Sequence, residues 1–189
     1  MRIAFKEWAV VVDALGRGEQ IIILRKGGIS EGRGGFQVEH NRFFLFPTLF
    51  HQQRESVLPG AQVRYDALAP MLSPNSVRIE YFAEVADWKF LDSFEPALRL
   101  RGQHVWRDEV VRERFEWGCA KSIYAMAVRV FRLPLPIDVP MRVEYGGCKS
   151  WVELDSIIST DGSQPALTDR EFDAKLEPFC AALETAPAL

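Results

Sequence analysis

The sequence predicts an α+β domain built as a small mixed β-barrel with flanking helices and a C-terminal helix. Three observations lead there. An alternating run from Val77 to Phe90 and a second apolar run from Ser122 to Leu133 read as long strands. Shorter strand-like runs lie far from them in sequence and are separated by helical patterns, which favours a mixed sheet over a meander. The chain also holds 13 Phe and five Trp, which suit a β-rich core.

Taken in order, Phe5, Trp8, Ala9, Val12 and Leu15 are spaced as on a helix ending near Gly16. The run Val10-Val11-Val12 fits a strand as well, with Gly16-Arg17-Gly18 then a hairpin turn. A strand follows over Gln20 to Arg25, and its apolar run Ile21 to Leu24 predicts burial on both faces. Five glycines between Gly27 and Gly35 form a loop. Phe43 to Pro47 is the next strand. Beyond His51, Pro59-Gly60, Pro70 and Pro74 break a polar stretch around one short helix.

On the strand Val77 to Phe90, alternation places Ile79, Tyr81 and Ala83 on one face. Asp92, with Glu95 three residues on, predicts a capped short helix, and Arg107 to Glu116 a second one that buries Val111 and Phe115 with Arg and Glu on its other face. Pro134 and Pro136 end the strand from Ser122, because proline gives no ladder donor. Trp151 to Leu154 closes the sheet. Thr168-Asp169-Arg170-Glu171 is a capping-box pattern that starts a last helix, kinked or stopped at Pro178.

With 189 residues, one domain over residues 1–160 and an acidic helical tail over 161–189 is the economical division. The tail from Asp161 has six acids against two bases, so it carries −4, and the other residues carry +1 within the chain's −3. That balance permits a nucleic-acid partner, since the basic residues of the main part are mostly Arg. No segment reaches the roughly 20 apolar residues of a membrane span, and the N-terminus has no signal-peptide pattern, so a cytoplasmic protein is expected. Cys119, Cys148 and Cys180 are too scattered for a disulfide framework.

Little in the sequence points to catalysis. His40, His51 and His104 lack metal-ligand spacing and read as scattered surface or supporting residues, so no metal and no cofactor is expected. The glycine loop follows a strand but lacks the phosphate-loop sequence. In Cys148-Lys149-Ser150 the lysine could activate the thiol. Asp87-Trp88-Lys89 and Asp173-Ala174-Lys175 echo nuclease acid-x-Lys pairs without the further acids that Mg²⁺ needs. Basic and aromatic residues do interleave, at Arg25 and Lys26, Arg42-Phe43-Phe44, Arg129 to Arg132, and Lys149 with Trp151. Such pairing holds a single or flipped base, and a packed core produces it too.

Phe5 to Val11, Leu24 to Ile29, Phe46 to Gln52 and Gly147 to Trp151 together resemble the bacterial family catalogued as domain of unknown function 1802, whose members occur fused to or beside restriction-endonuclease domains. Gly18 to Arg25 is similar to the Gly-x-Lys-x-x-Glu-x-Arg signature of ASCH domains in the PUA-like superfamily, with Gly18 and Arg25 matching but Gln20 and Ile23 replacing the Lys and the Glu. Lacking both groups, the chain departs from the amidohydrolase chemistry of some ASCH proteins. What the resemblance implies is a non-catalytic nucleic-acid-binding module, a reader of modified DNA or of RNA linked to a restriction or defence system. Arg25 and Lys26 would hold phosphates with Lys149, Gln52 and Ser150 would bond base edges, Trp151 would stack, and His51 would join them. Two alternatives stand beside it. One is a hydrolase or nuclease-associated enzyme acting on a nucleotide-like substrate. The other is a docking subunit that meets a restriction endonuclease through its acidic C-terminal helix.

Overall fold

The computed structural model describes residues 1–26, 38–49, 54–118 and 120–184. The predicted glycine loop, His51, Gln52 and Cys119 lie outside the described residues.

Among the described residues, seven strands form one mixed sheet: β1 (Ile3–Trp8), β2 (Ile22–Arg25), β3 (Arg42–Thr48), β4 (Ser76–Leu91), β5 (Ile123–Pro140), β6 (Trp151–Glu153) and β7 (Gln164–Pro165). The order is β2-β5-β4-β3-β1-β6, with β7 on β5. Only β1 and β3 run parallel among these pairs. Five α-helices among the described residues flank the sheet: α1 (Ala9–Gly16), α2 (Pro59–Leu68), α3 (Phe94–Arg99), α4 (Asp108–Glu116) and α5 (Asp169–Leu183). The sheet curls into a partly open barrel, as the α+β reading expects. No helix among the described residues is long and apolar enough to cross a membrane.

Both faces of β3 are buried along Phe43 to Phe46. Phe43 and Leu45 of β3 enter a main core with the helices, while Phe44 and Phe46 enter a second core with Val77, Phe82, Tyr145 and Val152. Neighbouring strand residues point oppositely, so β3 supplies both cores by turns.

The first segment contains the strand and the helix that the sequence left as alternatives, in series. Ile3–Trp8 pairs with β3 on one side and β6 on the other, and this pairing overrides the helical spacing of Phe5 and Trp8. Only Ala9–Gly16 is helical, and it is buried nearly all round. It ends at Gly16, where the spacing placed its end, although the left-handed residue that follows is Gly18. Gly18 takes the left-handed conformation, at φ +68°, and its N–H donates to Leu15 O at 3.0 Å.

The β4–β5 ribbon departs from simple alternation. Ile79 pairs with Ile137 and Tyr81 with Arg132, so Leu133–Pro136 bulge out between two paired stretches. The prolines therefore interrupt the ladder, and the strand resumes to Pro140 instead of ending. The same irregularity separates Ile79 from its predicted facemates. Ile79 packs in the second core and Tyr81 and Ala83 in the main one.

Two helix boundaries also differ. Ser93, not Asp92, occupies the N-cap of α3, with no side-chain cap bond. Helix α5 begins with the predicted capping box: Glu171 N–H donates to Thr168 Oγ1 at 3.3 Å and Thr168 N–H to Glu171 Oε2 at 2.9 Å. It runs through Pro178 to Leu183, because Phe179 and Leu183 are buried in the main core and Arg99 Nε donates to the terminal carbonyl of Ala182 at 2.6 Å.

Candidate functional site

The edge strands β2 and β6 share no ladder, and side chains join them. Arg25, the last residue of β2, donates from Nε to Ser150 Oγ, just before β6, at 2.7 Å. Its guanidinium also lies over the Phe5 ring, 5.3 Å from the centroid. Ser150 is fully buried, and its carbonyl accepts the Lys6 N–H at 2.8 Å. Trp151 packs edge-on against Phe5, Phe43 and His40, with centroids 4.9, 5.0 and 5.0 Å away.

Around this seam the charge is mostly positive. Lys6 is buried and donates to Tyr145 O and Gly147 O at 2.9 and 2.7 Å. Burial holds its ammonium below the ordinary lysine range, and the positive charges of Arg25 and Lys149 push it further down. Arg114, on α4, lies between two indoles, 4.6 Å from the Trp8 ring centroid and 4.8 Å from that of Trp106. It donates to Leu24 O at 3.0 Å. Burial lowers its pKa to about 10, Glu7 opposing the shift and Arg25 adding to it. Lys6 thus feels Arg25 and Lys149, while Arg114 feels Arg25 and the acid Glu7, which is 1 % exposed.

Of the residues that the sequence singled out, Arg25, Lys149, Ser150 and Trp151 come together here. Lys26 faces elsewhere: its ammonium donates to Phe115 O at 3.1 Å, to Ser122 O at 2.8 Å and to Ala120 O, tying down the end of α4. Three carbonyls match the three donors of an ammonium. Cys148 is exposed and Ser150 fully buried, so the two nucleophiles meet different surroundings. Among the described residues no group of three His, Cys, Asp or Glu is placed to hold a metal ion.

The sequence reading missed Lys6, Glu7 and Arg114. Arg114 was assigned to the outer face of its helix, yet two tryptophans distant in sequence draw it inward. The available signal for Glu7 was a Lys-Glu pair set inside an otherwise apolar stretch, Ile3 to Val12. His104 departs from the surface reading as well. It is 6 % exposed, and burial drops its pKa to about 4.

A row of side chains leads away from the seam. Arg25 is in register with Tyr124, and Tyr124 with Phe90. Trp88 and Phe90 are 45 % and 51 % exposed, with ring centroids 5.8 and 5.1 Å from Tyr124.

The family model described as domain of unknown function (DUF1802) matches residues 4–177. No curated protein matches the sequence at a significant level. Among solved structures, the chain is similar to ASCH from Zymomonas mobilis, at 14 % identity over 93 % of this chain and 92 % of that one, with a TM-score of 0.45. Two single-substitution variants of that protein give TM-scores of 0.48 and 0.43, at 14 % and 13 % identity, each over 93 % of this chain and over 93 % and 95 % of theirs.

Proposed function

The chain belongs to the DUF1802 family, and we propose that this member is a non-catalytic nucleic-acid-binding module that takes a phosphate-bearing strand at the seam between β2 and β6. The observation that supports it most is the mutual repulsion of neighbouring cations, Arg25 acting on both Lys6 and Arg114 and Lys149 acting on Lys6, with Glu7 the carboxylate that acts on Arg114. Cations that repel one another in a desolvated place are stabilised by an incoming anion, and a phosphodiester supplies one. The half-buried Tyr124, in register with Arg25, and the exposed Phe90 and Trp88 beside it add flat faces on which bases can stack. A reader of modified DNA or of RNA serving a restriction or defence system is the finer form of this proposal.

The test is direct binding of purified protein to labelled single-stranded RNA, plain duplex DNA, and duplexes with methylated or hydroxymethylated cytosine, at two salt concentrations. Salt-sensitive preference for one of them supports the proposal and names its class. Absence of binding to all four at low salt rejects it.

A further inference from the structure

Glu7 has a role that phosphate binding does not use. Its Oε1 accepts the Trp8 N–H at 2.7 Å, whereas Oε2 has no hydrogen-bond partner among the described residues, although Glu7 is 1 % exposed. Native folds seldom leave a buried acceptor open, so each such atom requires an explanation. Alternation along β1 puts Glu7 on the face of Phe5, whose ring Arg25 covers. Arg114 feels both Glu7 and Arg25. Across that guanidinium, Trp106 is also 1 % exposed, and its Nε1 donor likewise lacks a partner among the described residues. A buried donor, open among the described residues, thus belongs to a ring whose centroid is 4.8 Å from this guanidinium, and a buried acceptor, open likewise, acts on it electrostatically.

We infer that Glu7 reads a nucleobase, its Oε2 accepting an N–H from the exocyclic amino group of a base turned out of its strand. The inference rests on the nucleic-acid reading above. A carboxylate oxygen accepts and does not donate, so it selects bases that present a donor. Because Oε1 is engaged by Trp8, one oxygen is left, which suits the single amino group of cytosine or adenine better than the two adjacent donors of guanine. The ring acceptors beside those amino groups meet a donor in Trp106 Nε1 or in the Arg114 fork. Uracil and hypoxanthine carry a carbonyl where cytosine and adenine carry the amino group, and would set oxygen against oxygen.

The experiment measures fluorescence polarisation with single-stranded oligonucleotides that differ at one position, cytosine against uracil in one pair and adenine against hypoxanthine in the other. Wild-type protein is expected to favour the amino member of at least one pair by about tenfold or more, and that pair identifies the base. In Glu7→Gln the amide can turn its NH₂ toward a carbonyl, so the preference should collapse or invert while a thermal melt reports the fold. Glu7→Asp keeps the carboxylate and should keep the sign of the preference at reduced affinity. Equal wild-type affinity within both pairs overturns the inference whatever the variants do, and leaves the nucleic-acid reading standing. Failure to bind any oligonucleotide overturns both.

Discussion

Arg25 and Ser150 are 125 positions apart in the chain, and the 2.7 Å bond between them joins the two edges of the curled sheet. One arginine thus serves the fold and the candidate site together, and the two roles separate by mutation. Ser150→Ala should lower stability to chemical denaturation by about 1–2 kcal/mol, because it removes a bond to a charged donor, while leaving the salt dependence of binding unchanged. Arg25→Ala should lower stability similarly and also reduce the slope of log affinity against log salt by about 1, the amount for one lost phosphate contact.

Lys149 gives the cleaner view of the ligand. It is half-buried and acts on Lys6 by repulsion. Lys149→Ala is expected to weaken binding to all nucleic acids alike and reduce the salt slope by about 1. The melting temperature should hold or rise, since a repulsion is removed. A variant that unfolds earlier and binds normally would place Lys149 in the fold instead.

Gly16 is held to its size by Tyr81. A Cβ added there would lie 2.3 Å from Cζ of that ring, too close for a side chain boxed in by the main core. Gly16→Ala should lose about 1–3 kcal/mol in equilibrium unfolding, the usual range for overpacking. Gly60, on α2, is the control, with nothing within 4 Å of an added Cβ. There alanine should be neutral or stabilise by about 0.5–1 kcal/mol.

His104 makes stability depend on pH. Burial lowers its pKa from 6.5 to about 4, with Arg114 adding to the shift and Asp108 opposing it. The unfolded chain therefore binds the proton more readily than the native one. The contribution is complete above pH 6.5 and is lost as the pH falls through 4. Its size is at most about 3 kcal/mol. His104→Phe keeps a ring against Trp106, 5.4 Å away in the native pair, and should flatten unfolding free energy measured across that window. An unchanged slope would assign the acid sensitivity elsewhere.

Where local chemistry decides, the sequence was legible. The Thr168–Glu171 box, the pair Val111 and Phe115 on α4, and the extent of β4 all depend on neighbours within a turn or along one strand. Where distant partners decide, it was not. Ile3–Trp8 carries helical spacing and becomes a strand because β3 and β6 pair with it, which is also why Lys6 and Glu7 escaped notice. Arg114 points inward on account of Trp8 and Trp106, and no helical pattern reports indoles from elsewhere in the chain. Pro134 and Pro136 carry a true local signal, since the ladder does break there. Resumption at Ile137 depends on Ile79 across the ribbon. For the site, Arg25, Lys149, Ser150 and Trp151 were found through interleaved charge and aromatics together with family likeness.

The β4–β5 ribbon has a mechanical consequence. Its upper pairs, Leu91 with Ile123 and Ala83 with Val130, and its lower ones, Val77 with Val139 and Ile79 with Ile137, belong to one continuous pair of strands that passes from one core to the other. Loosening either core pulls on the same two backbones, so the molecule lacks a seam along which half of it could melt alone. Amides on both sides of the proline bulge should then exchange with solvent at a common free energy of opening, as members of one cooperative unit.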